Sequence, residues 1–213
     1  MSLKLYLHPL SSYCHKALIA LYENDISFEP VIIDQTTMAA LKKLWPIGKF
    51  PVLRDERRDH LVPESTIIIE YLAQHYPGRV HLIPSHPDRA RQVRMLDRFF
   101  DLYLHAPMQK YPADRLRPAD ARDPYGLEEA RRAYRTALDV LESDLAGKSW
   151  AMGDEFTMAD CAAAPALYYG NHFYGPFRET HPLCMAYLDR LMARPSYARV
   201  LAEAAPYLHL LPQ

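Results

Sequence analysis

An excess of either charge is missing from this chain: 25 Lys plus Arg stand against 26 Asp plus Glu over 213 residues, a formal net charge of -1. That balance leaves no electrostatic footprint for a polyanion, so neither nucleic acid nor an acidic membrane surface is an expected partner. Cysteine is scarce as well. Cys14, Cys161 and Cys184 are an odd number without metal-ligand spacing, which argues against a disulfide framework and a zinc site. No metal is expected. No run approaches the apolar length that spans a bilayer, and the opening Met-Ser-Leu-Lys-Leu-Tyr-Leu has no cationic segment followed by a long apolar stretch. A cytoplasmic protein with reduced thiols and no membrane association is expected. Internal repeats and low-complexity tracts are absent too. What is present is a globular composition, 49% hydrophobic and 24% charged, long enough for one large domain or two modest ones.

Hydrophobic periodicity divides the chain in two. Residues 3–8 alternate as Leu-Lys-Leu-Tyr-Leu-His, a half-buried strand, and residues 13–23 carry Ala17, Leu18, Leu21 and Tyr22 at helical spacing. Residues 28–33 read as a second strand, and residues 37–44 as a short helix stopped by Pro46 and Gly48. Residues 51–53 and 60–62 flank a charged turn and form a hairpin, after which residues 64–76 return to helical periodicity through Ile67, Ile68, Tyr71 and Leu72. The expected fold is α/β plus all-α. Its first domain, β-α-β-α-β-β-α over residues 1–78, is followed by a linker at 79–87 rich in Pro and poor in apolar anchors. Residues 88–213 show amphipathic runs at 88–111, 127–145, 158–169, 182–193 and 196–204 and no alternating strand, so an all-helical domain is expected there. Thr157 and Asp160 form a capping box with a role in folding, and the arginine-rich region 115–135, interleaved with Asp and Glu, reads as a solvated loop and helix face.

The most informative stretch is Trp45-Pro-Ile-Gly-Lys-Phe-Pro-Val-Leu followed by Val62-Pro-Glu-Ser-Thr. A strand entered through a proline, then an acidic and a hydroxyl residue opening a helix, is a way to hold a small peptide by its backbone and its charged end. A third element, Ser11-Ser12-Tyr13-Cys14, lies at the first strand-to-helix turn. Together with the order of elements, this set resembles the cytosolic glutathione transferase superfamily, and the helical half with Phe156-Thr-Met-Ala-Asp160 resembles that family's second domain, so the likeness covers nearly the whole chain. It implies a thioredoxin-like first domain with a cis peptide before Pro51. Glutathione is the implied co-substrate.

In that likeness Phe50 and Pro51 present backbone to the cysteinyl unit, Ser65 receives the γ-glutamyl carboxylate at a helix N-terminus, Glu64 pairs with the ammonium, and Lys49 reaches the glycyl carboxylate. The thiol also has to be ionised. Lowering its pKa from about 8.5 by about two units corresponds to roughly 2.7 kcal/mol, within reach of a charge-assisted hydroxyl hydrogen bond and a helix N-terminus. Ser11 matches the activating position, with Ser12 and Cys14 as the alternatives. The Ser-Ser-Tyr-Cys run also looks like a glutaredoxin motif whose first cysteine has become serine, which leaves a one-cysteine redox site as a rival role for Cys14. A bacterial type of transferase is suggested by Leu104-His105, which matches a histidine that some bacterial members carry near the cleft. Candidates for the second-substrate site are Tyr103, His105, Met108, Tyr111, Tyr168 and Phe173, with Tyr169 and Tyr174 beside them, although aromatics at helical spacing fill interiors more often than they line clefts. The expected activity is conjugation of the glutathione thiolate to a small hydrophobic electrophile, a detoxification chemistry. Glutathione-dependent isomerisation, thiol redox chemistry and a non-catalytic binding or scaffold role are the alternatives. The likeness further implies a homodimer.

Overall fold

The computed structural model describes residues 2–212. Its first half contains β1 (Leu3–Leu7), α1 (Ser12–Glu23), β2 (Glu29–Ile32), α2 (Met38–Leu44), β3 (Val52–Asp55), β4 (His60–Pro63) and α3 (Ser65–His75). The strands make one sheet in the order β2-β1-β3-β4, in which β1 is parallel to β2 and antiparallel to β3, and β4 is antiparallel to β3. The alternation in β1 decides which side faces in: Leu3, Leu5 and Leu7 are buried while Lys4 and Tyr6 are half-buried on the other face. This is a thioredoxin-like β-α-β-α-β-β-α domain.

All regular elements of the second half are helical: α4 (Pro87–Phe99), α5 (Ala106–Arg115), α6 (Pro124–Asp144), α7 (Met158–Phe173), α8 (Pro182–Ala193) and α9 (Pro195–Ala204), with short 3-10 segments at Ala119–Ala121 and Ala205–Leu210. Among the described residues no helix is long and apolar enough to cross a membrane. The run at 88–111 is not the single helix its periodicity suggests. A π-helical turn, Phe100–His105, separates α4 from α5. Pro107 explains the break, because it has no N–H to donate to the carbonyl of Tyr103 and its ring crowds that carbonyl. The Ala106 N–H accordingly bonds back to Asp101, five residues away.

The core is centred on α1, which packs against α3 on one side and against α7 and α9 on the other and so joins the two domains. Ten of its twelve residues are buried, including the polar His15 and Lys16. The capping box at α7 is present: Asp160 accepts from the Thr157 N–H at 2.8 Å, and also from the Ala151 N–H at 2.8 Å and the Tyr187 hydroxyl at 2.5 Å. Its carboxylate therefore anchors a loop and a second helix as well as the helix start.

Candidate functional site

A cavity of about 610 Å³ lies where the first domain meets α4. Lys49, Phe50 and Pro51 reach it from the loop before β3, Glu64 to Ile67 from the junction of β4 and α3, and Tyr13 from α1. The Phe50–Pro51 peptide bond is cis. Glu64 turns the chain from β4 into α3 with φ +73°, a region non-glycine residues avoid, and so places its own side chain and the first turn of α3 on the wall. No side chain caps α3. Its first-turn N–H groups therefore remain for a ligand, at the positive end of the helix dipole.

Most of the charges around this cavity are already paired. Arg94 holds Glu70 through two hydrogen bonds of 2.5 and 2.9 Å, and Arg98 holds Asp97 at 2.9 Å and Asp101 at 2.5 Å. Lys16, fully buried behind the wall, reaches Asp97 at 2.6 Å and Asp101 at 2.8 Å. The Thr66 hydroxyl accepts from Lys16 at 2.8 Å and donates to Asp97 at 2.8 Å, so the start of α3 is clamped to α4. Burial pushes the Asp101 carboxyl up, but the His105 imidazole and the Lys16 ammonium beside it prevail and bring it down to about 2. Among the described residues, Lys49 and Glu64 are the charged wall residues without an ion pair. The cavity thus offers one free cation and one free anion, together with an uncapped helix start. That combination suits a small zwitterionic peptide.

The residues of the first turn of α1 take separate places. Ser11 is the N-cap of α1: its hydroxyl accepts from the Cys14 N–H at 3.3 Å, and it is not on the cavity wall. Ser12 is buried and accepts from the Gln109 side chain at 2.7 Å, which fastens α5 to α1. Cys14 is fully buried, and burial pushes its thiol up to about 12, so the one-cysteine redox role meets neither an accessible nor an ionised sulfur. Tyr13 is the residue of this turn that faces the cavity. Its ring stacks on His105 at 4.2 Å between centroids, and burial, assisted by the Asp101 charge, pushes its hydroxyl up to about 12.

The candidate second-substrate residues separate into three groups. Tyr111, Tyr168 and Phe173 line a cavity of about 470 Å³ together with His172, Leu208 and Leu211. Met108 and His105 correct the expectation, since both are fully buried and the former packs in the core. Tyr103 is also corrected: it is 58% exposed and on neither wall. Tyr169 is buried behind Phe173, and the Tyr174 hydroxyl donates to the Pro107 carbonyl at 2.6 Å. A third cavity, about 510 Å³, lies between β2 and α9, where Arg199 and Glu203 pair with each other at 2.9 Å and the Tyr22 hydroxyl donates to Glu203 at 2.6 Å. Among the described residues no group of three or more His, Cys, Asp or Glu is placed to hold a metal ion.

Trp45, Tyr13, Thr66 and the Lys16–Asp97–Asp101 cluster are site residues that sequence reasoning did not assign. Trp45 lines the main cavity with a buried Nε1–H that has no partner. Two signals were available: Thr66 directly follows the Glu64-Ser65 pair, and Asp97 and Asp101 stand four residues apart, which puts both carboxylates on one helix face.

The architecture defines a class of two-domain proteins, a thioredoxin-like domain followed by a helical one, with a cavity where the first meets α4. The family model for the glutathione S-transferase N-terminal domain matches residues 5–80, and that for the glutathione S-transferase C-terminal domain matches residues 99–195. This chain belongs to the glutathione S-transferase family. It is 31% identical over 207 residues to a stringent starvation protein A homolog of Haemophilus influenzae, covering 91% of this chain and 87% of that relative. It is also 26% identical over 196 residues to glutathione S-transferase GstB of Escherichia coli, covering 90% of this chain and 93% of that protein. A glutathione S-transferase from Methylobacterium radiotolerans, solved in complex with glutathione sulfonate, superposes with a TM-score of 0.81 at 28% identity, covering 93% of each chain.

Proposed function

We propose that this protein is a glutathione transferase that binds glutathione in the main cavity and conjugates its thiolate to a small electrophile. The observation that carries the reading is the pair of free charges. Glu64 suits the γ-glutamyl ammonium, the uncapped start of α3 with Ser65 suits the adjoining carboxylate, and Lys49 with the Trp45 Nε1–H suits the glycyl carboxylate. Phe50 and Pro51 lie on the same wall, where their backbone suits the cysteinyl unit.

Ser11 is our proposed activating residue. As N-cap its oxygen accepts the Cys14 N–H, which leaves its own O–H free to donate to a thiolate. Tyr13 offers a second hydroxyl, and one that lies on the wall. Two outcomes are therefore distinguished by one pH series of conjugation with chlorodinitrobenzene. Ser11→Ala should lose roughly 10- to 100-fold near neutral pH, with the deficit shrinking as alkali ionises the thiol unaided, while Ser12→Ala and Cys14→Ala lose much less. If Tyr13→Phe shows that profile instead, the tyrosine is the donor.

The displacement of Ser11 from the wall also favours a second reading, a protein that holds glutathione without turning it over. Saturation at about one hundred times the dissociation constant should stabilise the fold by roughly 2.7 kcal/mol under either reading. No shift in melting temperature with millimolar glutathione defeats both, and a shift without conjugation selects the binder. Beside the cavity, Ile67, Met95, Leu102 and Tyr103 are each more than half exposed, and a second copy covering them is the proposed homodimer, in the cytoplasm. Light scattering at micromolar concentration tests the dimer.

A further inference from the structure

The aromatic cavity formed by Tyr111, Tyr168, His172, Phe173, Leu208 and Leu211 has a second property: among the described residues its walls carry no Asp or Glu. Its polar atoms are two phenols and an imidazole, groups that donate readily to an acceptor. On its wall the Tyr111 ring stacks on Phe173 at 5.0 Å between centroids, and the Arg115 guanidinium carbon, outside the cavity lining, lies 5.1 Å from the Tyr111 centroid. Arg115 departs from the solvated face expected of the 115–135 region. It is half-buried, its Nε is fully buried without a hydrogen-bond partner, and among the described residues it has no carboxylate within ion-pair distance. Two other half-buried arginines of the same domain do have a carboxylate: Arg194 is held by Glu23 through two contacts of 2.7 Å, and Arg131, whose Nε is likewise buried without a partner, has Glu128 at 4.0 Å. A guanidinium drawn partly out of water and left unpaired is costly, and an anion supplied from outside offsets that cost.

Resting on the transferase reading above, we propose that the second substrate is an aromatic electrophile bearing a carboxylate, with its ring in this cavity and its acid on Arg115. Both sites border α5. Ala106 at the start of that helix lines the glutathione cavity, Tyr111 lies about 7.5 Å further along the axis, and Gln109 between them is fastened to Ser12. In the reaction the glutathione sulfur bonds to the ring carbon that carries the leaving group. For a chloroarene the C–Cl bond breaks, chloride departs with the electron pair, and the thiol proton passes to solvent.

Two matched pairs of probes test this. Binding is measured by calorimetry with 3,5-dinitrobenzoate and its methyl ester, which have no leaving group, and turnover with 4-chloro-3,5-dinitrobenzoate and its methyl ester. The wild-type protein should bind the carboxylate about tenfold more tightly than the ester, Arg115→Met should erase that preference, and Arg115→Lys should retain part of it. The ratio of kcat/KM for the chloro pair should follow. Equal binding of acid and ester by the wild type, or an equal loss of both in Arg115→Met with an unchanged melting temperature, overturns the proposal while leaving conjugation of the ester to support the transferase. Preference for the acid without turnover of either probe leaves the anion pocket standing and overturns the transferase reading instead.

Discussion

Two helices of the first domain begin with a serine, and the chain treats them differently. At α1, Ser11 sits in an extended conformation and its hydroxyl caps the helix from within the chain. At α3, the residue before Ser65 is Glu64 in a left-handed conformation, and no side chain caps the helix at all. The first start is capped from within the chain, and the second leaves its backbone donors to solvent or to an anion from outside. Which helix end serves a ligand is thus decided less by the residue type than by whether the chain has already met the needs of its backbone donors. The strained φ of Glu64 is consistent with this division, since it is maintained where the open helix start meets the cavity.

The largest test acts on what both helices share. Lys16 projects from α1 to Asp97 and Asp101 and to Thr66 on α3, so Lys16→Met leaves two carboxylates buried with Arg98 as their remaining cation. Loss of about 3 to 5 kcal/mol in urea unfolding is expected. A smaller effect should separate the two starts. Ser65→Ala should weaken glutathione binding by about 1.5 to 3 kcal/mol with little change in melting temperature, whereas Ser11→Ala should leave the binding constant nearly unchanged. Equal weakening by the two substitutions would remove the distinction between a self-capped and a ligand-capped helix.

Acid sharpens the comparison from the α4 side. Asp101 titrates at about 2 in the fold against an ordinary value of 3.8, so on acidification the unfolded chain takes up its proton first. Its contribution is fully present above about pH 4 and disappears as pH falls through 2, amounting to about 2 kcal/mol. Asp101→Asn should flatten that limb of the stability curve measured between those pH values. The smallest effect is local: Ser11→Ala should cost about 1 kcal/mol of stability through the lost cap, and Ser11→Gly only a few tenths, as measured by thermal unfolding.

The fold was legible wherever burial follows a local period. The leucines of β1, the buried face of α1 and the capping box of α7 are each written within a few residues of sequence. The glutathione-facing candidates Lys49, Phe50, Pro51, Glu64 and Ser65 come together on one wall because each lies at a strand or helix boundary with a recognisable residue pattern. Ser11 is ambiguous for a physical reason, since capping and catalysis select the same residue at the same place. The clamp from Lys16 to Asp101 spans 85 residues, and no local pattern marks such a pairing. Met108 and Tyr103 share a helical run with Tyr111, and only the altered winding before Pro107 determines which of them face the core, the solvent or a cavity.

That altered winding makes the placement of the two pockets a matter of phase. A π-turn accommodates one residue more than an α-turn, and each residue of α-helix advances the side chains by about 100° around the axis. Winding Phe100–His105 as regular α-helix at unchanged length would leave that extra residue unabsorbed, and everything after it would arrive rotated by about that angle. Gln109 would swing away from Ser12, and Tyr111 from Phe173, while the cavity beside Glu64, built before the turn, would keep most of its walls. The spacing between the two pockets is therefore held as an angular offset, and Pro107, which forbids the regular winding, maintains it without lining either pocket.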